Sequence, residues 1–265
     1  MTIVKKNAIS CKNILLKLGG KVILDNISLD LHHGQVTTLL GPNGAGKSSL
    51  LKILANEIKA TPNESSEILY FNQAKMNWKG SQLAQHIGIL PQQSSLTFAF
   101  TVREVVELGL LPLSLSRSQA DCVINEMLEK VDTLHLEARL YPLLSGGEKQ
   151  RIHFARVLAQ LSKSGNKTLL MLDEPTSALD LSHQHNTLKI ARSMAEQGAA
   201  VLIVLHDLNL AAQYSDRVLI LNNGKIQSDG SPWHALTAEK IEKVYQQKVE
   251  VLKHPSADYP VVYAI

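Results

Sequence analysis

The sequence has no apolar run approaching the roughly 18–20 residues that a membrane span requires; its longest, such as Ala199–Leu205 and Leu169–Leu172, have the length of buried strands. The first expectation is therefore a chain that does not cross a bilayer by itself. The opening MTIVKKNAIS holds two lysines with no apolar segment behind them, which does not support a secretory signal and suggests the cytosol. Cysteine is scarce. Cys11 and Cys122 occur without CxxC or Cys/His zinc spacing, which argues against a zinc site and leaves two reduced, buried thiols as the expectation. No basic tract is longer than Lys5-Lys6, and 27 Lys+Arg against 24 Asp+Glu leave a formal charge of only +3. The strongly basic footprint of a nucleic-acid binder is missing. Internal repeats and low-complexity tracts are absent as well.

What is present is a globular composition, 45% hydrophobic and 19% charged over 265 residues, enough for a real core in one or two domains. Residues 9–40 read as β, with Ile27–Leu31 alternating and Val36–Leu40 short and β-branched. Apolar residues from Leu50 to Ile58 then recur at helical spacing, and the turn-rich 61–67 reads as a surface loop. A strand at 87–90 is stopped by Pro91, and residues 101–140 carry helical patterns only. After Ser145 the pattern predicts a helix to about Leu161, strand 168–172, helix 183–196, strand 199–205, helix 208–214 and a hairpin over 217–226 centred on Asn222-Asn223-Gly224. Strands alternating with helices argue for a mostly parallel sheet covered on both faces.

Gly41-Pro42-Asn43-Gly44-Ala45-Gly46-Lys47-Ser48 matches GxxxxGK[ST] between a predicted strand and a predicted helix, the context a phosphate loop needs. Glycines let successive backbone N–H groups turn inward around phosphate, and the helix N-terminus adds positive potential. Lys47 reaches the outer phosphates and the Ser48 hydroxyl ligates Mg²⁺, with Ser49 next on the same turn. The motif makes a nucleoside triphosphate site. A second element, Leu169–Glu174, delivers two carboxylates at the carboxyl end of a buried strand, where ligands gather in open α/β sheets. Adjacent residues on a strand point opposite ways. Asp173 is accordingly read as holding Mg²⁺ through its water shell, and Glu174 as orienting or deprotonating the attacking water.

Leu144-Ser145-Gly146-Gly147-Glu148-Lys149-Gln150-Arg151 fits a helix capping box whose glycines leave the first amides uncovered, a second helix start suited to an anion. In this order after the phosphate loop and before the Asp-Glu strand, the segment resembles the signature motif of ATP-binding cassette (ABC) ATPases. The resemblance covers about residues 8–230 in five ordered motifs. It implies an α/β P-loop NTPase (RecA-like) fold, one domain over 1–265, with a mostly parallel core at about 1–93 and 143–265. An N-terminal antiparallel β subdomain and a helical subdomain inserted at about 94–142 complete it. It further implies that Gln92 or Gln93 is the Q-loop glutamine, with Gln92 favoured as a catalytic and Mg²⁺-contacting residue. Ser177–Asp180 would be the D-loop, with Asp180 in the nucleotide site, and His206 the H-loop histidine that contacts the γ-phosphate. Leu18 stands where the family usually has a base-stacking aromatic, so modest nucleotide affinity and poor base discrimination are expected.

The family resemblance also implies partners. Two cassettes pair head to tail, so that Ser145–Gly147 of one copy closes over the γ-phosphate held by Lys47 of the other, and the helical insert touches transmembrane permease subunits. A single phosphate loop and only about 100 residues between Lys47 and Ser145 disfavour translation-associated and chromosome-maintenance relatives. The stretches Leu90–Gln93, Phe100–Gly109 and His206–Arg217 look like those of bacterial importers of iron-siderophore, cobalamin and haem. The tail, with His254-Pro255 and Tyr259–Val262, is most similar to ATPases of haem import. A periplasmic binding protein and the cytoplasmic face of the bacterial inner membrane follow from that group, and nucleic acid does not. The other histidines, including His32-His33, His183 and His185, read as solvated surface residues, and Trp78 and Trp233 as packing or interface residues.

Overall fold

The computed structural model describes residues 6–63, 65–92, 96 and 98–265. In chain order the elements are β1 (Asn7–Leu18), β2 (Lys21–His32), β3 (Gln35–Leu40), α1 (Lys47–Leu54), β4 (Glu67–Tyr70), β5 (Gln73–Ala74), α2 (Gly80–Ala84) and β6 (Ile87–Leu90). There follow α3 (Val102–Glu107), α4 (Arg117–Lys130), α5 (Gly146–Leu161), β7 (Leu169–Asp173), α6 (Leu181–Glu196), β8 (Ala200–Val204) and α7 (Leu208–Tyr214). The chain closes with β9 (Arg217–Asn222), β10 (Lys225–Gly230), α8 (Pro232–Ala235), α9 (Ala238–Tyr245), β11 (Val249–Lys253) and β12 (Pro260–Ala264). They fall into two compact units, Met1–Asn77 with Ala191–Ile265, and Trp78–Ile190.

The first unit holds an antiparallel sheet in the order β2-β1-β4-β5 and a second group in the order β10-β9-β3-β8. In the latter, β3 runs parallel to both β8 and β9, with Leu39 beside Val204 and Leu40 beside Ile220. Every residue of β3 and β8 is buried, as unbroken apolar and β-branched runs require in a parallel sheet covered on both sides. The β9–β10 hairpin turns on Asn223 and Gly224, both left-handed (φ 48° and 71°), the two-residue turn that matches strand twist. A Cβ at Gly224 would stand 2.5 Å from the Ile23 carbonyl oxygen, so this turn is also where β2 approaches the hairpin. The β11–β12 hairpin is fastened to α7 by Asn209, whose side-chain amide accepts from the Val262 N–H at 2.7 Å and donates to its carbonyl at 3.2 Å.

The second unit pairs β6 with β7 in parallel, Leu90 beside Leu172. α5 lies close on β6: a Cβ at Gly88 would meet Leu161 and Val157 at 2.7–2.8 Å, and Gln160 donates to the Ala84 and Ile87 carbonyls. Three helices start the same way, with Thr101/Glu104, Ser116/Gln119 and Ser145/Glu148 forming reciprocal capping boxes. Arg103 then ties α3 to Asp121 of α4 at 2.6 Å and to Glu137 at 3.0 Å.

The sequence pattern misplaces some features. The helix after the phosphate loop stops at Leu54, because Asn56 turns left-handed (φ 60°) before Ile58 is reached. Cys11 is buried, and burial pushes its thiol up to about 12, but Cys122 lies on the exposed side of α4, one residue before the buried Val123 and Ile124. His183 is half-buried rather than solvated and its ring is engaged by carboxylates. Among the described residues no helix is long and apolar enough to cross a membrane.

Candidate functional site

Parallel pairing decides which loops meet. Because β3, β8 and β9 are in parallel register, Gly41 leaves β3 at the same edge where His206 follows β8. The Leu205 N–H donates to the Leu39 carbonyl at 3.3 Å, which fixes the exposed His206 at that edge. Gly41, with φ 148°, passes so close to β9 that a Cβ would sit 2.0 Å from the Leu221 carbonyl oxygen. Gly46, with φ 103°, would place a Cβ 2.8 Å from Leu24 and 2.9 Å from the Ile23 oxygen. These two glycines are demanded by backbone packing, whereas Gly44 (φ 79°) has open space where a side chain would be and needs glycine for its dihedral alone.

Gly46 is the N-cap of α1 and makes no side-chain cap hydrogen bond to the helix start, an anion-seeking arrangement. The Lys47 ammonium is buried and donates to the Gly41 carbonyl at 2.7 Å and the Pro42 carbonyl at 3.1 Å. The cation therefore sits inside the loop it serves. Behind the loop, Tyr245 at the end of α9 is half-buried with its hydroxyl oxygen buried, and desolvation pushes its phenol up to about 12, offset in part by the Gly41 amide. This support from the chain's last helix has no motif, and sequence reasoning missed it.

In the second unit the parallel β6–β7 pair brings Gln92 and Glu174 out at one end. The Gln92 side-chain N–H donates to Glu174 Oε2 at 2.7 Å. Glu174 itself is left-handed, φ 51°, an unfavoured state for a residue with a side chain. Its carbonyl is held by three donors: the Gln150 amide at 3.1 Å, the Ser177 N–H at 3.3 Å and the Ser177 hydroxyl at 3.1 Å. Gln150 comes from the helix that opens at Ser145–Gly147, so that helix anchors the strained backbone from which the carboxylate projects. Asp173, one residue back, is buried with only 3% exposure. Neighbouring acids on one strand thus occupy different environments. Gln93, the alternative to Gln92, lies outside the described residues.

The start of α5 is a closed capping box. The Ser145 N–H and hydroxyl donate to Glu148 Oε2 at 2.7 and 2.8 Å, and the Glu148 N–H returns a bond to Ser145 Oγ at 3.3 Å. Those donors hold the Glu148 carboxyl below its usual range, the Ser145 N–H most of all. The two glycines differ in purpose. A Cβ on Gly147 would meet the Ala178 carbonyl at 2.9 Å, while Gly146 has room. Gly147 therefore lets the helix start rest on Ser177–Asp180, and Gly146 leaves the amide end uncovered. Asp180 opens α6, accepting from the His183 N–H at 3.0 Å.

The profile of the family described as "ABC transporter" matches residues 24–177. The chain belongs to that family. A "Hemin import ATP-binding protein HmuV" of Aliivibrio fischeri is 58% identical over 257 residues, 97% of each chain. Its namesake in Vibrio cholerae is 54% identical, over 97% of this chain and 98% of its own. Among solved structures, an ABC transporter in an inward-facing conformation aligns over 98% of both chains at 25% identity with a TM-score of 0.79. A dimeric, post-hydrolysis ATP-binding cassette bound to ADP and Pi aligns over 84% of this chain and 98% of its own, at 27% identity and a TM-score of 0.74.

As an ABC transporter cassette the chain is an ATP-binding ATPase subunit of α/β P-loop type. The phosphate loop, Lys47, Ser48, Ser49 and His206 lie in the first unit of this cassette; Gln92, Ser145–Gly147, Asp173, Glu174 and Asp180 lie in the second. Leu18, at the usual aromatic position of the ABC family, is 53% exposed.

Proposed function

We propose that the chain is the ATP-hydrolysing, energy-coupling subunit of a bacterial importer of haem. The observation that carries the cargo is the 58% identity, over 97% of both chains, to a protein named for hemin import. The chemistry rests on the chain's own residues. Lys47 and the first amides of α1 bind the β- and γ-phosphates of ATP, and His206 contacts the γ-phosphate. Glu174 orients the attacking water and takes its proton at a carboxylate oxygen that Gln92 steadies. The donors read for Mg²⁺ are the Ser48 hydroxyl, the Gln92 amide oxygen and the Asp173 carboxylate. All are hard oxygen ligands, and the Gln92 amide nitrogen is already spent on Glu174, which suits a divalent cation of this kind. When bound, Mg²⁺ neutralises charge on the phosphate oxygens.

Ser145–Gly147 of a second copy closes over the γ-phosphate in a head-to-tail pair, with Asp180 contributing beside it. Residues at about 94–142 form the helical insert that docks on the transmembrane permease, and Gln92 reports phosphate occupancy to it. The cassette then works at the cytoplasmic face of the inner membrane, served indirectly by a periplasmic binding protein. The test reconstitutes the chain with its cognate permease in proteoliposomes and adds binding protein loaded with haem, ferric siderophore or cobalamin. ATP hydrolysis is expected to rise with the haem-loaded protein alone. Absence of a haem response, or a response to another cargo in its place, overturns the haem reading.

A further inference from the structure

Beside Asp180 the second unit holds a charged cluster with an unusual demand on a histidine. His183, in the first turn of α6, has a carboxylate against each ring nitrogen: Asp180 Oδ1 lies 2.8 Å from Nδ1 and Asp132 Oδ2 lies 3.5 Å from Nε2. A neutral imidazole carries one N–H and one lone pair, so it donates to only one of two carboxylates and turns a lone pair toward the other. Only the imidazolium donates to both. The two acids come from different places: Asp180 closes the Ser177–Asp180 loop beneath Gly147, while Asp132 follows α4 in a left-handed turn (φ 56°).

Asp132 is itself fixed. Arg151 of α5 donates to the Val131 carbonyl at 3.1 Å and the Asp132 carbonyl at 2.5 Å, capping the end of α4, and stands 3.7 Å from Asp132 Oδ2. The adjacent Asn186 of α6 donates to the Lys130 carbonyl. The charged groups facing the ring are thus Asp180 on its own turn, Asp132 from α4 and, through Asp132, Arg151 from α5. The Asp180 carboxyl is held below its usual range, first by the His183 N–H and then by the His183 ring.

We propose that His183 is a positioning residue for ATP hydrolysis, a protonated clamp that fixes Asp180 at the end of its loop to Asp132 at the end of α4. The clamp rests on the ATPase reading given above and adds to it a proton-dependent setting of the Asp180 loop. The ring holds both acids only while each nitrogen carries a proton, so loss of one proton releases one of the two carboxylates.

The test uses the full-length chain and two readouts. Imidazole NMR follows the titration of His183 in the wild type and in Asp132→Asn; loss of the carboxylate is expected to lower its midpoint, whether or not the chain hydrolyses ATP. An unchanged midpoint overturns the clamp and leaves the ATPase reading untouched. Steady-state hydrolysis is then compared for wild type and His183→Gln across the same pH range, with melting temperatures to confirm folding. The wild-type to variant ratio of kcat is expected to be about tenfold near pH 6, the scale of a charge-assisted hydrogen bond, and to fall toward about one near pH 8.5, with KM for ATP little changed. A ratio that does not vary with pH contradicts the positioning role.

Discussion

Glu174 combines a strained backbone with a tightly held side chain, which is how a rigid fold aims one carboxylate oxygen. Its carbonyl is pinned by Gln150 and Ser177 and its Oε2 by Gln92, so replacement by glutamine keeps the shape and removes the proton acceptor. Glu174→Gln is expected to retain ATP binding while hydrolysis drops by about 10²- to 10⁴-fold, read by nucleotide titration beside single-turnover kinetics. A variant that hydrolyses at the wild-type rate would remove Glu174 from the mechanism. Leu18 makes a second prediction at this scale. An exposed aliphatic side chain cannot stack on a base as an aromatic face does. Comparable KM values for ATP and GTP are expected, and a strong preference for ATP contradicts the assignment. The glycines and acids here were legible as motifs because their chemistry fixes residue type and spacing. The left-handed φ of Glu174 was not, since that strain is imposed by partners distant in sequence.

Elements follow the same division. β3, β7 and β8 were readable because continuous apolar runs of strand length have few other solutions, and the β9–β10 turn because Asn223-Gly224 suits two left-handed residues. The C-terminal α8, α9, β11 and β12 were not. Their strands are short and partly exposed, and the contact that places β12, Asn209 with Val262, joins residues far apart in the chain. Within α5, His153 was also invisible in the pattern. It is 3% exposed, its Nε2 pairs with the Tyr141 hydroxyl at 2.8 Å, and burial lowers its pKa to about 4. Between its ordinary value of 6.5 and about 4 the unfolded chain accepts a proton that the native chain refuses. Stability therefore falls as pH drops through that window, by up to roughly 3 kcal/mol from this group. Melting temperature against pH should be distinctly flatter below about pH 6.5 in His153→Gln than in the wild type. Parallel slopes would mean that His153 takes up its proton without cost in the folded state.

At the scale of the whole molecule, the proposed function gives each chain half of a hydrolytic site. In that proposal the phosphate loop supplies phosphate ligands, the α5 start supplies the end of a helix, and pairing of two copies would bring one of each together. Family membership and the α/β architecture were readable from the order of five motifs, since that order is itself a statement about strand and helix sequence. Cargo was readable only as resemblance, because the stretches that resemble haem-import ATPases carry no chemistry specific to haem. The most direct measurement is the rate of ATP hydrolysis as a function of chain concentration at saturating ATP and Mg²⁺. The specific rate should rise with concentration toward a plateau, as expected when the active form is a pair of copies. A specific rate independent of concentration, from a chain that remains monomeric by sedimentation while turning over ATP, would contradict the account.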